Sequence, residues 1–200
     1  VGGGSVSPVG GVADATGRFA TAWTLGTLLG AQSITATITT APTAQAVATA
    51  TATPGAAVSL VLVSVIGPQI AGDTLPDIIV EARDASGNVA TGFIGVVNGR
   101  VLTGPNGPDA DSVSVTAVNG VATFSGNTFQ TAGDYTLRFN AVGLTDVIHP
   151  TITVSAGTVT SIAVVAGNAQ TGTVSTTLPD SVTFRVTDAF GNGVPGTLIG

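Results

Sequence analysis

In Ser181-Val182-Thr183-Phe184-Arg185-Val186-Thr187-Asp188-Ala189-Phe190-Gly191-Asn192, apolar and polar side chains alternate and the alternation ends in a turn signal. Val182, Phe184 and Val186 point one way, Ser181, Thr183, Arg185 and Thr187 the other: period two, a strand with one buried face. In the pentapeptide that follows, Asp is expected to bond backbone amides at a hairpin while Gly or Asn takes φ > 0. The same arrangement stands upstream, where Ile78, Val80 and Ala82 precede Asp84-Ala85-Ser86-Gly87-Asn88. Val113, Val115 and Ala117 make a third inward stripe, and Tyr135, Leu137 and Phe139 a fourth. Turn signals separate such segments at Gly67-Pro68, Asn98-Gly99, Asn106-Gly107-Pro108 and Asn119-Gly120. About seven short strands in roughly 100 residues, with no helical pattern, describe an all-β sandwich.

The likeness between the two stretches is part of a longer repeat. Thr74-Leu75-Pro76-Asp77 recurs as Thr177-Leu178-Pro179-Asp180, 103 residues on, and Asp84 to Asn88 recurs 104 residues on. The other half of the unit repeats towards the N-terminus. Gly120-Val121-Ala122-Thr123-Phe124 resembles Gly17-Arg18-Phe19-Ala20-Thr21, and Ala132-Gly133-Asp134-Tyr135-Thr136-Leu137 resembles Leu29-Gly30-Ala31-Gln32-Ser33-Ile34, both at an offset of 103. The predicted organisation is therefore a C-terminal half-unit (residues 1–53), a linker (54–57), a complete unit (58–155), a linker (156–157) and an N-terminal half-unit (158–200). The two halves together have 96 residues against 98 for the complete unit. Linkers this short, around Pro54-Gly55 and Ala156-Gly157, limit bending.

Composition narrows the function. The chain has five Arg, no Lys, ten Asp, one Glu and a net charge of −6. Five scattered arginines cannot form the basic track that phosphate binding needs, so nucleic acid is excluded as a partner. The apolar run over residues 58–67 is half the roughly 20 residues of a helical membrane span and is broken by serines. With no Cys there are no disulfides or thiolate metal sites, and with no Lys no Lys–Asn isopeptide crosslink. Val1 is not an initiator methionine, so the chain is expected to be a mature product or a fragment of something longer.

Val182 to Gly196, Gly2-Gly3-Gly4-Ser5-Val6, Asp14-Ala15-Thr16-Gly17-Arg18 and Ala22-Trp23-Thr24-Leu25-Gly26 resemble the bacterial Ig-like domains of the invasin and intimin type. The central unit is similar but lacks the Gly-Gly-Gly-Ser and Trp-Thr-Leu-Gly stretches. The resemblance implies tandem immunoglobulin-like β-sandwich domains (Greek-key, about seven strands each) in an extracellular protein, and no reaction. Tyr135, after Gly133-Asp134 at a strand start, is expected to be a corner tyrosine of such a domain, its hydroxyl held by backbone.

Residues with chemical capacity are few. His149, the single histidine, is expected at a loop edge, and no second histidine exists for a Ser-His-Asp arrangement. Asp109 and Asp111 are the only close pair of carboxylates, in a Gly/Pro-rich loop where solubilising charge is the expected role, not glycoside hydrolysis. The Asp-Ala-x-Gly-Asn turns invite a calcium reading but lack the alternating oxygen ligands of dedicated calcium loops. Trp23 sits in the alternation Phe19, Thr21, Trp23, Leu25 and is expected in the core; an exposed aromatic there would suit a glycan. Gly2-Gly3-Gly4 lacks the Lys-Ser/Thr and helix of a phosphate loop. No catalytic, cofactor or metal residues are assigned. The expected function is a structural repeat of a bacterial surface protein, adhesin stalk or secreted filament, acting as a spacer or self-assembling unit. Its expected partners are neighbouring copies of itself, through domain completion or filament assembly. The alternative is a recognition module gripping glycan or host protein through loops, or Ig-like decoration of a phage virion.

Overall fold

The computed structural model describes residues 3–109 and 111–200; Val1, Gly2 and Ala110 lie outside the described residues. Every regular element among them is a strand. The first four are β1 (Ser5–Ser7), β2 (Ala22–Thr24), β3 (Gly30–Ile38) and β4 (Ala41–Ala52). β1 pairs with β2, and β3 with β4 in a long antiparallel hairpin. β5 (Ser59–Leu62), β6 (Gln69–Ile70), β7 (Ile78–Arg83), β8 (Val96–Thr103), β9 (Ser112–Thr116), β10 (Val121–Phe124), β11 (Gly133–Asn140) and β12 (Val147–Ser155) follow, and β13 (Ser161–Ala166) and β14 (Thr183–Thr187) form a last hairpin.

Between Ser59 and Ser155 the strands form two sheets, β10-β7-β5 and β6-β12-β11-β8-β9, antiparallel except where β6 runs parallel to β12. The two sheets share one core. Leu60, Ile78, Val80 and Phe124 come from the first, and Val97, Val101, Tyr135, Phe139 and Ile152 from the second. Alternation places these side chains. Ile78, Val80 and Ala82 are buried on β7, as are Tyr135, Leu137 and Phe139 on β11, with Ile79, Glu81, Thr136 and Arg138 between them half-buried on the other face. Phe124 meets Phe139 across the core with ring centroids 4.9 Å apart and planes tilted by 56°, a favoured aromatic geometry.

Two expectations need correction here. Asn98-Gly99 is no turn; it lies within β8. Gly99 faces the core between Val97 and Val101, and a Cβ there would meet the Phe139 ring at 2.8 Å and the Phe124 ring at 3.0 Å. Glycine is used for close approach of an aromatic pair and not for chain reversal. Val113, predicted inward, is 41% exposed because β9 ends the larger sheet, and only Ala117 of that stripe is fully buried.

The last hairpin shares the register of β5 and β7 but not their burial. On β14 and the residue before it, Val182 is 44% and Phe184 50% exposed. Their counterparts on β7, Ile78 and Val80, are 2% and 0% exposed.

Candidate functional site

The most elaborate polar construction among the described residues is the Asp-Ala-x-Gly-Asn turn, which occurs between β7 and β8 and again after β14 and each time reaches the segment that connects one set of strands to the next. In the first, Asp84 Oδ1 accepts hydrogen bonds from the Ser86 and Asn88 amides, both at 2.9 Å. The Gly87 amide donates back to the Asp84 carbonyl at 3.0 Å, and Gly87 takes φ of +84°. That is the expected Asx turn, with glycine where a left-handed backbone is required. The other carboxylate oxygen reaches further. Asp84 Oδ2 accepts from the Gly55 amide, in the segment between β4 and β5, at 2.9 Å, and from Asn88 Nδ2 at 3.2 Å. Asn88 Nδ2 also donates to the Thr27 carbonyl, between β2 and β3, at 3.2 Å.

The second copy repeats these bonds and adds one, from the Ala132 amide. Asp188 Oδ1 accepts from the Phe190 and Asn192 amides at 2.9 Å. Its Oδ2 accepts from the Gly157 amide and from Asn192 Nδ2, both at 2.8 Å. Asn192 Nδ2 donates to the Gln130 carbonyl at 2.8 Å, and Asn192 Oδ1 accepts from the Ala132 amide at 2.8 Å. Gln130 follows Thr27 by the repeat offset of 103 residues. Each Asp–Asn pair therefore holds three things together: its own turn, the amide of the connecting segment, and the backbone of the preceding strands. At the second junction the Phe190 ring also lies against Gly72, where a Cβ would come within 2.3 Å of it.

Asp14-Ala15-Thr16-Gly17-Arg18 separates the turn from the clamp. Asp14 Oδ1 accepts from the Thr16 and Arg18 amides at 2.8 and 3.0 Å, so the loop forms in the same way. Arg18 stands in the asparagine position, and the turn is exposed. The Asx turn thus needs only Asp and Gly; holding a neighbour needs the asparagine and a linker amide.

The electrostatics follow from the donors. The Gly55 amide, together with Asn88 and Ser86, holds the Asp84 carboxyl below the usual carboxylate range against the burial that would raise it. For Asp188, burial works to raise the pKa, but the Asn192 side chain and the Gly157, Asn192 and Phe190 amides outweigh it and bring it down to about 2. Both carboxylates are faced by N–H groups, the surroundings of an anion held by donors and the opposite of an oxygen cage for a cation.

The other singled-out residues are dispersed. His149 is not at a loop edge: it lies within β12, fully buried. Its Nδ1 donates to the Pro150 carbonyl at 2.6 Å and its Nε2 accepts from the Ile66 amide at 3.0 Å. The imidazole thereby satisfies the amide of a segment, between β5 and β6, that has no ladder partner there. Asp109 is mostly exposed and lies 3.3 Å from Arg100, and Asp146 is bound by Arg138. Among the described residues, Arg100 and Asp111 are the ionisable groups lining a cleft of about 180 Å³ beside the core, and Asp109 is not one of them. Trp23, half-buried on β2, is flanked by Phe19 and Leu25, which are 44% and 36% exposed. Gly3 and Gly4 precede β1, while Gly2 is outside the described residues.

Tyr135 does what was expected of it. Its hydroxyl donates to the Thr131 carbonyl at 2.7 Å, and its ring stacks on Phe129 at 4.0 Å. In the N-terminal strands the same position, 103 residues earlier, is the buried Gln32, whose Nε2 donates to the Leu28 carbonyl at 2.6 Å. A glutamine replaces the tyrosine and keeps its bond to the carbonyl four residues back. Sequence reading aligned Gln32 with Tyr135 without finding that shared role. It also missed Asn88 and Asn192 as the groups that reach across, although Gly55 and Gly157 keep nearly the same spacing from them.

Comparison with known proteins adds little. No family model matches, and no curated protein matches. Among solved structures, a beta-glycosidase from Bacteroides vulgatus is similar at TM-score 0.39 and 16% identity, over 69% of this chain and 19% of that one. A glycosyl hydrolase family 2 member from Bacteroides cellulosilyticus is similar at TM-score 0.40 and 13% identity, over 68% of this chain and 18% of that one. The chain thus spans less than a fifth of either protein, and likeness at this level decides neither fold nor activity.

Proposed function

We propose that this chain is a stretch of tandem immunoglobulin-like domains of the bacterial invasin and intimin type, serving as a non-enzymatic, semi-rigid spacer in an extracellular surface protein or secreted filament. The observation that carries this reading is the repetition of the clamp. Two successive junctions use the same Asp, Gly and Asn at the same spacing to bind the connecting amide and the preceding backbone. A flexible tether has no use for such a device. A spacer that must keep its units aligned does, because each added bond removes freedom from a short linker. The immunoglobulin-like reading is supported by the Tyr135 corner and by a two-residue strand, β6, pairing parallel to the last strand of the larger sheet. The surface location rests on the resemblance and on a strand exterior rich in Thr, Ser and Gly with few charges.

Spin-label distances test the spacer directly, and the absence of native cysteine makes labelling simple. Labels at the exposed Thr37 and Thr116 span the first junction, and labels at Thr116 and Thr183 the second. Narrow distance distributions are expected for both, widening on Asn88→Ala and Asn192→Ala respectively. Broad distributions in the unaltered junctions would contradict a semi-rigid spacer.

A further inference from the structure

Beside the core shared by the two middle sheets lies the cleft of about 180 Å³, to which neither the repeat nor the clamp gives a role. Its lining includes the Phe124–Phe139 pair, packed on Gly99 of β8. Phe129, stacked on Tyr135, brings a third ring, and Leu75, Ile78, Val101 and Leu137 add aliphatic surface. Asp111, Ser112, Val113 and Thr128 are the exposed residues of the lining and mark its mouth, between the start of β9 and the segment after β10.

The two ionisable residues of the lining are not equivalent. β8 turns Val97, Gly99 and Val101 to the core, so Arg100 points to the other face, where its guanidinium meets Asp109 at 3.3 Å. Asp111 lies on the core side. The Val101 amide donates to its carbonyl at 3.1 Å, which sets it one step ahead of Val113 in the inward stripe of β9. Its charge also reaches the core: burial, and after it the Asp111 carboxylate, raise the Tyr135 phenol above its ordinary value. Among the described residues no ion pair or hydrogen bond takes up that carboxylate. An unneutralised carboxylate at the mouth of a cleft with three aromatic rings is suited to an organic cation. The carboxylate meets the charge, and the rings meet both the cation and its hydrocarbon body.

We propose that this cleft binds a small protonated amine, a single ring carrying a short ammonium arm. Volume sets the size: a dry cavity of about 150 Å³ holds one benzene ring, so about 180 Å³ holds a ring and a two-carbon arm. The ring lies among Phe124, Phe129 and Phe139, and the ammonium reaches Asp111. A second copy of this chain cannot supply a lysine ammonium, because the sequence has no Lys. The inference does not rest on the spacer reading.

Phenethylammonium is the probe, titrated into nitrogen-15-labelled protein at neutral pH. Saturable shifts are expected at the amides of residues 111–113 and 127–129, with a dissociation constant on the order of 1 mM, as suits about nine heavy atoms. Phenylpropionate, similar in shape and opposite in charge, should bind at least about tenfold more weakly. Nα-acetyl-lysine amide, an ammonium without a ring, should be weaker by about the same factor, which separates a free ring amine from the lysine side chain of another protein. Asp111→Asn should weaken phenethylammonium by about three- to tenfold and remove its advantage over phenylpropionate. Asp109→Asn makes the same change in net charge and should leave binding as it was. Both substitutions fall on exposed residues, and unchanged β7 and β11 amide shifts would show the fold intact. No saturable shift at those amides, equal affinity for either control compound, or equal weakening in the two variants would overturn the inference.

Discussion

β7 and β14 make an instructive pair. Both turn every second side chain to one face, both end in an Asp-Ala-x-Gly-Asn turn, and β14 pairs with β13 in the register in which β7 pairs with β5. One lies at the centre of a core and the other lies open to water. The difference is not in the strands but in what is laid across them. β7 has β10 on its free edge and the larger sheet over its face, whereas β14 has neither among the described residues. Pattern and turn chemistry are thus enough to set a strand and its register, while burial waits on residues far away in the chain.

Paired substitutions sharpen that comparison. Phe139→Ala, which removes a ring 2% exposed in the middle of the core, should cost about 3–5 kcal/mol of unfolding free energy. Phe184→Ala, at a half-exposed ring, should change stability of the dilute chain by no more than about 0.5 kcal/mol. Chemical denaturation of both variants checks this, and equal effects would erase the distinction between the two regions. His149→Ala should rank next. It orphans the buried Ile66 amide at a cost of about 1–3 kcal/mol, in addition to the lost volume, and denaturation should show a loss beyond that of an exposed-site substitution.

The clamps have a pH signature. Asp188 is held at about 2 against an ordinary value of 3.8, so its contribution to order at the junction is complete above pH 4. It is lost as pH falls from there towards about 2, because the unfolded or released carboxyl takes up its proton first. Asp84, also lowered, moves in the same direction. Labels across the second junction should therefore show narrow distances at neutral pH and wider ones on acidification within that window. In Asp188→Asn this dependence should be reduced, with the junction already loosened at neutral pH. The smallest expected effect is that of calcium. Chelation should leave the melting temperature nearly unchanged, since the donors around both carboxylates are amides; a marked fall on chelation would convert the turns into metal sites.

Much of the β architecture was legible because period-two alternation is local. Ile78, Val80, Tyr135, Leu137 and Phe139 could be assigned to the interior without knowing what they would meet. Errors arose where a residue's role is set across space. Asn98-Gly99 reads as a turn until Phe139 is seen packed on Gly99. His149-Pro150 reads as a loop edge until the Ile66 amide, 83 positions away, is found bonded to the imidazole. The clamp was half legible. Its turn is encoded in five consecutive residues, but its reach to Gly55, Gly157, Thr27 and Gln130 involves backbone amides and carbonyls, which every residue has and no sequence pattern advertises.

The central claim is that β14 repeats β7 in pattern and register but not in cover among the described residues, and hydrogen exchange measures the difference residue by residue. The amides of Val182, Phe184 and Val186 correspond to those of Ile78, Val80 and Ala82, which face β10; the last donates to the Gly120 carbonyl at 2.8 Å. The β7 amides should be protected at every protein concentration. The amides of Val182, Phe184 and Val186 should exchange freely. Protection of those three amides to the level of the β7 amides would contradict the account.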